Sequence, residues 1–177
     1  MKSHQSNPAR AIAASALFLL LAACAPSHDW RDVRGTTAPF KVLLPAKPTV
    51  LSRSITLVGV PVTMTMTAAE IDGVTYAVGN AMLPDGDLAT RAATAMKLAL
   101  VANMQGVVRR EKSVDDANGR HIELDALGKL QGATQRLLIA RFYTYKQNAY
   151  QVIVSGPEKK VSADQVEVFM TSFKPEG

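Results

Sequence analysis

The chain is poor in the residues that most catalytic and metal-binding sites are built from. Its 177 residues include one cysteine, one tryptophan and three histidines. A single thiol rules out a disulfide framework within the chain and a multi-thiolate zinc site. There is no glycine-rich phosphate loop, no His-Glu-x-x-His and no Gly-x-Ser-x-Gly, so the common signatures of phosphate-loop, zinc-hydrolase and serine-hydrolase chemistry are missing. An excess of one charge is missing too. Twenty Lys and Arg stand against fifteen Asp and Glu, a net +5, with no longer like-charge run than pairs such as Arg109-Arg110 and Lys159-Lys160. A balance that small argues for neither nucleic acid nor an acidic substrate as a partner, and no nucleic acid is expected. The apolar run over residues 11–20 is well short of the roughly 20 residues that a spanning helix requires.

That short run is informative for what surrounds it. Lys2 and Arg10 form a basic start without acids, the apolar segment follows, and the small residues Ala22 and Ala23 precede Cys24. This is the layout of a secretory signal. Leu21-Ala22-Ala23-Cys24 resembles a bacterial lipobox. The resemblance implies a signal peptide over 1–23, cleavage before Cys24, lipidation of Cys24 (a palmitate-type acyl anchor) and attachment to the cell envelope facing the periplasm. By similarity to enterobacterial lipoproteins, Ala25 after the cysteine implies the outer membrane in preference to the inner. Loss of Lys2 and Arg10 with the leader would bring the net charge from +5 to +3.

Residues 24–39 are polar and broken by Pro26, Gly35 and Pro39, with neither a helical nor a strand period, and are expected to be an acylated tether. Trp30 is its anomaly and is expected to dock on the domain, because a tryptophan buries a large area when it packs. The domain itself is expected over 40–177. "FKVLLP" reads as a short strand. Gly59 and Asp72-Gly73 mark hairpin turns between "TVLSRSITLVG", "VPVTMTMTAAEID" and "VTYAVGNAMLP". A helix is expected over 88–105, capped by Asp87 and stopped by Gly106, with Leu88, Ala92, Ala95, Ala99 and Ala102 facing the sheet. Two further hairpins follow, one turning at Asn118-Gly119 and one through Lys146 to Asn148. A last helix opens with a capping box, Ser162 and Gln165, stapled by Val161 and Val166, and presents Val166, Phe169 and Met170.

"PFKVLLPAKP", "YQVIVSGP" and "VEVFMTSFKP", in this order of elements, resemble the PsbP-like superfamily, which includes photosystem extrinsic proteins, Mog-type Ran-binding proteins and DcrB-type envelope lipoproteins. The resemblance implies an α+β domain: an antiparallel sheet of about six to eight strands, with the long middle helix and the C-terminal helix packed on it. It implies no catalytic residues, because the superfamily shares no catalytic motif, and its members are mostly assembly or binding accessories.

Two clusters carry what chemistry there is. His121, Glu123 and Asp125 alternate along one strand and so share a face, a possible divalent-metal set. A two-residue turn at Asn118-Gly119 would place Lys112 opposite Asp125 and Asp116 opposite His121, which reads instead as a solvated face of charge pairs. Met64 and Met66 offer thioethers for Cu(I), but they lie on the apolar stripe of Val62, where methionine is core filler. Leu98 and Val101 fall on the outer side of the long helix and are candidates for a partner face. The expectation is a non-enzymatic, monomeric envelope lipoprotein without cofactor, acting as a binding or assembly accessory for another envelope protein. The alternative is a small-ligand or metal carrier with a pocket between sheet and helix, which would need a mainly apolar cavity of roughly 300 Å³ or more.

Overall fold

Arg31–Arg34 forms a strand (β1) that pairs antiparallel with Phe40–Leu44 (β2), Arg31 lying opposite Leu44 and Arg34 opposite Lys41. This computed structural model describes residues 28–117, 119–129 and 134–176; the leader over 1–23 and Cys24 lie outside them. The stretch expected as a tether thus contributes a strand. Only Val33 of its four residues is apolar, so the strand owes its existence to the neighbouring β2 backbone and not to a pattern of its own. Trp30 docks as expected, edge-on to Tyr76 with ring centroids 6.2 Å apart.

Seven longer strands form the main sheet: β3 (Thr49–Leu57), β4 (Val60–Ile71), β5 (Val74–Met82), β6 (Val107–Asp116), β7 (Gly119–Lys129), β8 (Gln135–Tyr145) and β9 (Asn148–Pro157). Their order is β3-β4-β5-β9-β8-β7-β6, antiparallel throughout. Turn chemistry fixes most of it. Asp72 and Gly73 take φ of 53° and 79°, the left-handed pair that a type I′ hairpin needs. The β8–β9 hairpin is tighter than expected: its loop is Lys146-Gln147, and Asn148 already pairs with Tyr145. The β6–β7 register also differs. Asp116 pairs with Gly119, so Lys112 faces Glu123 and Arg110 faces Asp125. The turn lies one residue earlier than the Asn-Gly signal suggests, which slides each partner by two positions and preserves the faces.

One face of this sheet carries the helix α1 (Gly86–Asn103). Asp85, not Asp87, caps it: its Oδ1 accepts from the Leu88 amide at 2.8 Å. Asp87 sits in the first turn, where its charge suits the helix dipole. The buried side is Ala89, Ala92, Ala93 and Met96, continued by half-buried Leu100, while Ala99 and Ala102 are exposed. Asp87, Thr90, Arg91 and Thr94 form an exposed polar stripe at helical spacing, and the buried side lies opposite it; alanine spacing alone points to a neighbouring face, because alanines occur on both. Gln105 closes the helix in a left-handed conformation, φ 47°, with its amide on the Ala102 carbonyl and the Gly106 amide on the Val101 carbonyl, a Schellman end without glycine in its usual place.

The other face carries α2 (Ala163–Ser172) and the small sheet, in which Lys174–Pro175 (β10) joins the free edge of β2. Here lie Phe40, Tyr76, Tyr143, Tyr150, Phe169 and Phe173, all fully buried. Burial pushes the Tyr150 phenol up to about 12, and its hydroxyl donates to the Pro39 carbonyl at 3.0 Å. Val161 and Val166 pack on this core as the expected staple, and Phe169 and Met170 are buried. The capping box does not form: Ser162 takes the N-cap position without a side-chain hydrogen bond, and the Gln165 Oε1 is buried without a partner among the described residues. The sheet pattern is therefore sheet-dominated α+β, with ten strands in two sheets among the described residues, where the sequence suggested six to eight in one.

Candidate functional site

Between α1 and the main sheet the packing leaves a groove of about 440 Å³. Its walls are Met66 from β4, Ala77 from β5, Leu100 and Met104 from the helix end, Leu138 from β8 and Ile153 from β9. These positions share a face because strand side chains alternate, and because the helix tapers from alanine to Leu100 and Met104 just where the groove opens. Polar groups gather at the rim: Glu70, Thr75, Asn103, Arg136 and Ser155. The half-buried Arg136 donates from Nη2 to the carbonyls of Ser155 (2.8 Å) and Gly73 (3.2 Å), and from Nε to the Ser155 hydroxyl (3.4 Å). Thr75 donates to Glu70 at 3.5 Å. Met66 takes a contact from Gln151 Nε2 at 3.5 Å, and both Met64 and Met66 pack against the core as the stripe with Val62 implied.

On the opposite face, β7 places His121, Glu123 and Asp125 on one side, as expected. They are not solvated. The His121 side chain is fully buried, stacked on Tyr143 with centroids 4.5 Å apart. The Glu123 and Asp125 side chains are 15% and 23% exposed. Tyr143 and α2 cover the face that the sequence left open. Glu123 receives Lys112 and Arg141, each at 2.9 Å, and Asp125 receives Arg110 at 2.9 Å. Burial alone would raise the Glu123 carboxyl, but the Lys112 hydrogen bond and the Arg141 charge outweigh it and hold it below the ordinary value. His121 Nε2 lies 3.6 Å from Glu123 and makes no hydrogen bond among the described residues. Each carboxylate is thus tied to a cation, and among the described residues no group of three or more His, Cys, Asp and Glu side chains is placed to hold a metal ion.

No family model matches the chain, and no curated protein matches it. Among solved structures it is similar to the solution structure of cyanobacterial PsbP (CyanoP) from Synechocystis sp. PCC 6803, with 14% identity and a TM-score of 0.56, over 89% of this chain and 99% of that one. The fold is PsbP-like. At this identity the likeness establishes the architecture and transfers no site.

Two other surfaces of the PsbP-like domain bear on partners. Leu98 is 61% exposed on α1, while Val101 is half-buried against the core. With Val108 they border a shallow hollow of about 230 Å³, so the expected face is one exposed leucine beside it and not a continuous apolar stripe. The two edges of the main sheet differ sharply. β6 carries Arg109, Arg110, Glu111, Lys112, Asp115 and Asp116 and an irregularity between Val108 and Arg110, the devices that keep an edge from pairing. β3 has one charged residue, Arg53, no bulge, and eight exposed positions out of nine, including Val50 and Leu51 at 60% and 52%. Sequence reasoning saw β3 as a hairpin arm and had no means of seeing it as an edge. Arg136 was missed because no motif frames it. Among the described residues no helix is long and apolar enough to cross a membrane.

Proposed function

We propose that this chain is a lipid-anchored envelope protein, held by acyl chains on Cys24, and that its PsbP-like domain acts as a non-enzymatic accessory that docks an extended segment of another envelope protein along β3. The exposed β3 edge carries this reading. An edge strand offers a row of unpaired amides and carbonyls, and the group that satisfies such a row is another strand. Val50 and Leu51 would add apolar contact on the two faces. The lipobox-like leader supports the envelope, and outer-membrane attachment, through Ala25, belongs to the same proposal. The pairing of Glu123 and Asp125 with basic side chains supports a role without acid–base chemistry.

The test is a pair of lysine substitutions, Val50→Lys with Leu51→Lys, in cells. Both side chains are exposed, so each substitution should change the folding stability by no more than about 0.5 kcal/mol. A specific partner that co-purifies with the wild type should be lost. Retention of that partner by the double variant would exclude β3 as the docking edge.

A second reading, a small-ligand carrier, is favoured by one observation, the apolar groove of about 440 Å³. It exceeds the roughly 300 Å³ that such a site requires.

A further inference from the structure

We infer that the groove beneath α1 takes a single-chain anionic amphiphile, with its alkyl chain between helix and sheet and its carboxylate or phosphate head on Arg136. The inference rests on the carrier reading and names its ligand class.

Arg136 is what distinguishes the groove from a packing defect. Among the described residues, Arg31, Arg34, Arg109, Arg110, Arg120 and Arg141 each pair with a carboxylate. Arg53 and Arg91 are exposed and solvated. Arg136 is half-buried and has no carboxylate partner among the described residues. Its donors to the Gly73 and Ser155 carbonyls and the Ser155 hydroxyl fix the guanidinium plane without neutralising it. Nη1 makes no hydrogen bond among the described residues. A half-buried cation held in place with a free donor is a preformed anion receptor. Glu70 stands on the same rim, but it is exposed and hydrogen-bonded to Thr75, so water screens it more than it does Arg136. The rest of the lining is largely alkyl and thioether: Met66, Leu100, Met104, Leu138 and Ile153. Methionine walls adapt to flexible chains. A charged head beside such walls selects an amphiphile over a purely polar anion.

The test uses the full chain in lipid nanodiscs and a diazirine-bearing decanoic acid, with adducts mapped by peptide mass spectrometry. Labelling should fall on the peptides holding Leu100, Met104 and Leu138, and excess decanoate or decyl phosphate should suppress it while decyltrimethylammonium does not. Arg136→Gln should reduce it about tenfold, with Arg136→Lys intermediate. Leu100→Trp, which fills the groove from the helix side, should abolish it, and serves as the second variant if Arg136→Gln does not fold. Equal labelling by a cationic diazirine probe, or undiminished labelling in a folded Arg136→Gln, would overturn the ligand class and leave a carrier standing. No groove labelling by either probe would overturn the carrier reading with it.

Discussion

Glu123 Oε1 lies 2.9 Å from Arg141 Nη2, and the same guanidinium donates through Nη1 to the Met170 carbonyl at 3.2 Å. One carboxylate on β7 thereby orients the arginine of β8 that holds the end of α2. The candidate metal set is better described as the joint between helix and sheet.

That joint predicts an acid-sensitive contribution to stability. The folded Glu123 carboxyl is held below its ordinary value, so its contribution is present above the unfolded value of about 4.3 and is lost as pH falls through the folded one. Glu123→Gln should cost about 1.5–3 kcal/mol at neutral pH, the range for hydrogen bonds to charged groups, and should flatten the acid limb of urea-unfolding free energies. An unchanged acid limb would remove the ion pair from this account. His121→Ala should be costly as well, by about 2 kcal/mol or more, because it empties a fully buried site stacked on Tyr143.

The ends of α1 give two substitutions of opposite sign. Gln105→Gly should stabilise by about 1 kcal/mol, since a left-handed residue other than glycine carries a penalty of that order. Gly128→Ala should destabilise, because a Cβ there would run into the Met104 carbonyl where β7 passes the helix end. Thermal melts of the two variants should shift in opposite directions. Asp85→Ala should cost about 1 kcal/mol by uncapping the first turn, and Asp87→Ala less; the reverse order would contradict the assigned cap.

The anchor is tested at Cys24. Each buried methylene contributes about 0.8 kcal/mol, so several acyl chains hold a protein on a membrane essentially permanently. Cys24→Ser should accumulate as an unprocessed precursor or appear as a soluble product. A serine variant that fractionates with membranes as the wild type does would contradict lipidation.

What the sequence revealed depended on whether the determinant was local. Asp72-Gly73 marked its hairpin because both turn residues must have positive φ, and Val161 with Val166 marked the start of α2. Arg31–Arg34 was invisible because its pairing partner, β2, decides its conformation. In the alanine-rich α1 the alanines fall on several faces and point to the wrong one, while the polar stripe of Asp87, Thr90, Arg91 and Thr94 lies opposite the side that is buried. The burial of His121 depends on Tyr143, which the pairing of β8 with β7 sets against it. The two surfaces that now matter most, the β3 edge and the Arg136 rim, are products of strand order, which no stretch of the chain encodes alone.

The docking proposal is tested most directly by site-specific photocrosslinking in living cells, with the crosslinker placed at Leu51 on β3, at Leu98 on α1 and at Lys112 on the opposite edge. The account predicts a discrete adduct with one envelope protein from Leu51, abolished by Val50→Lys, and none from Lys112. An adduct from Leu98 or Lys112 with none from Leu51 would contradict docking along β3.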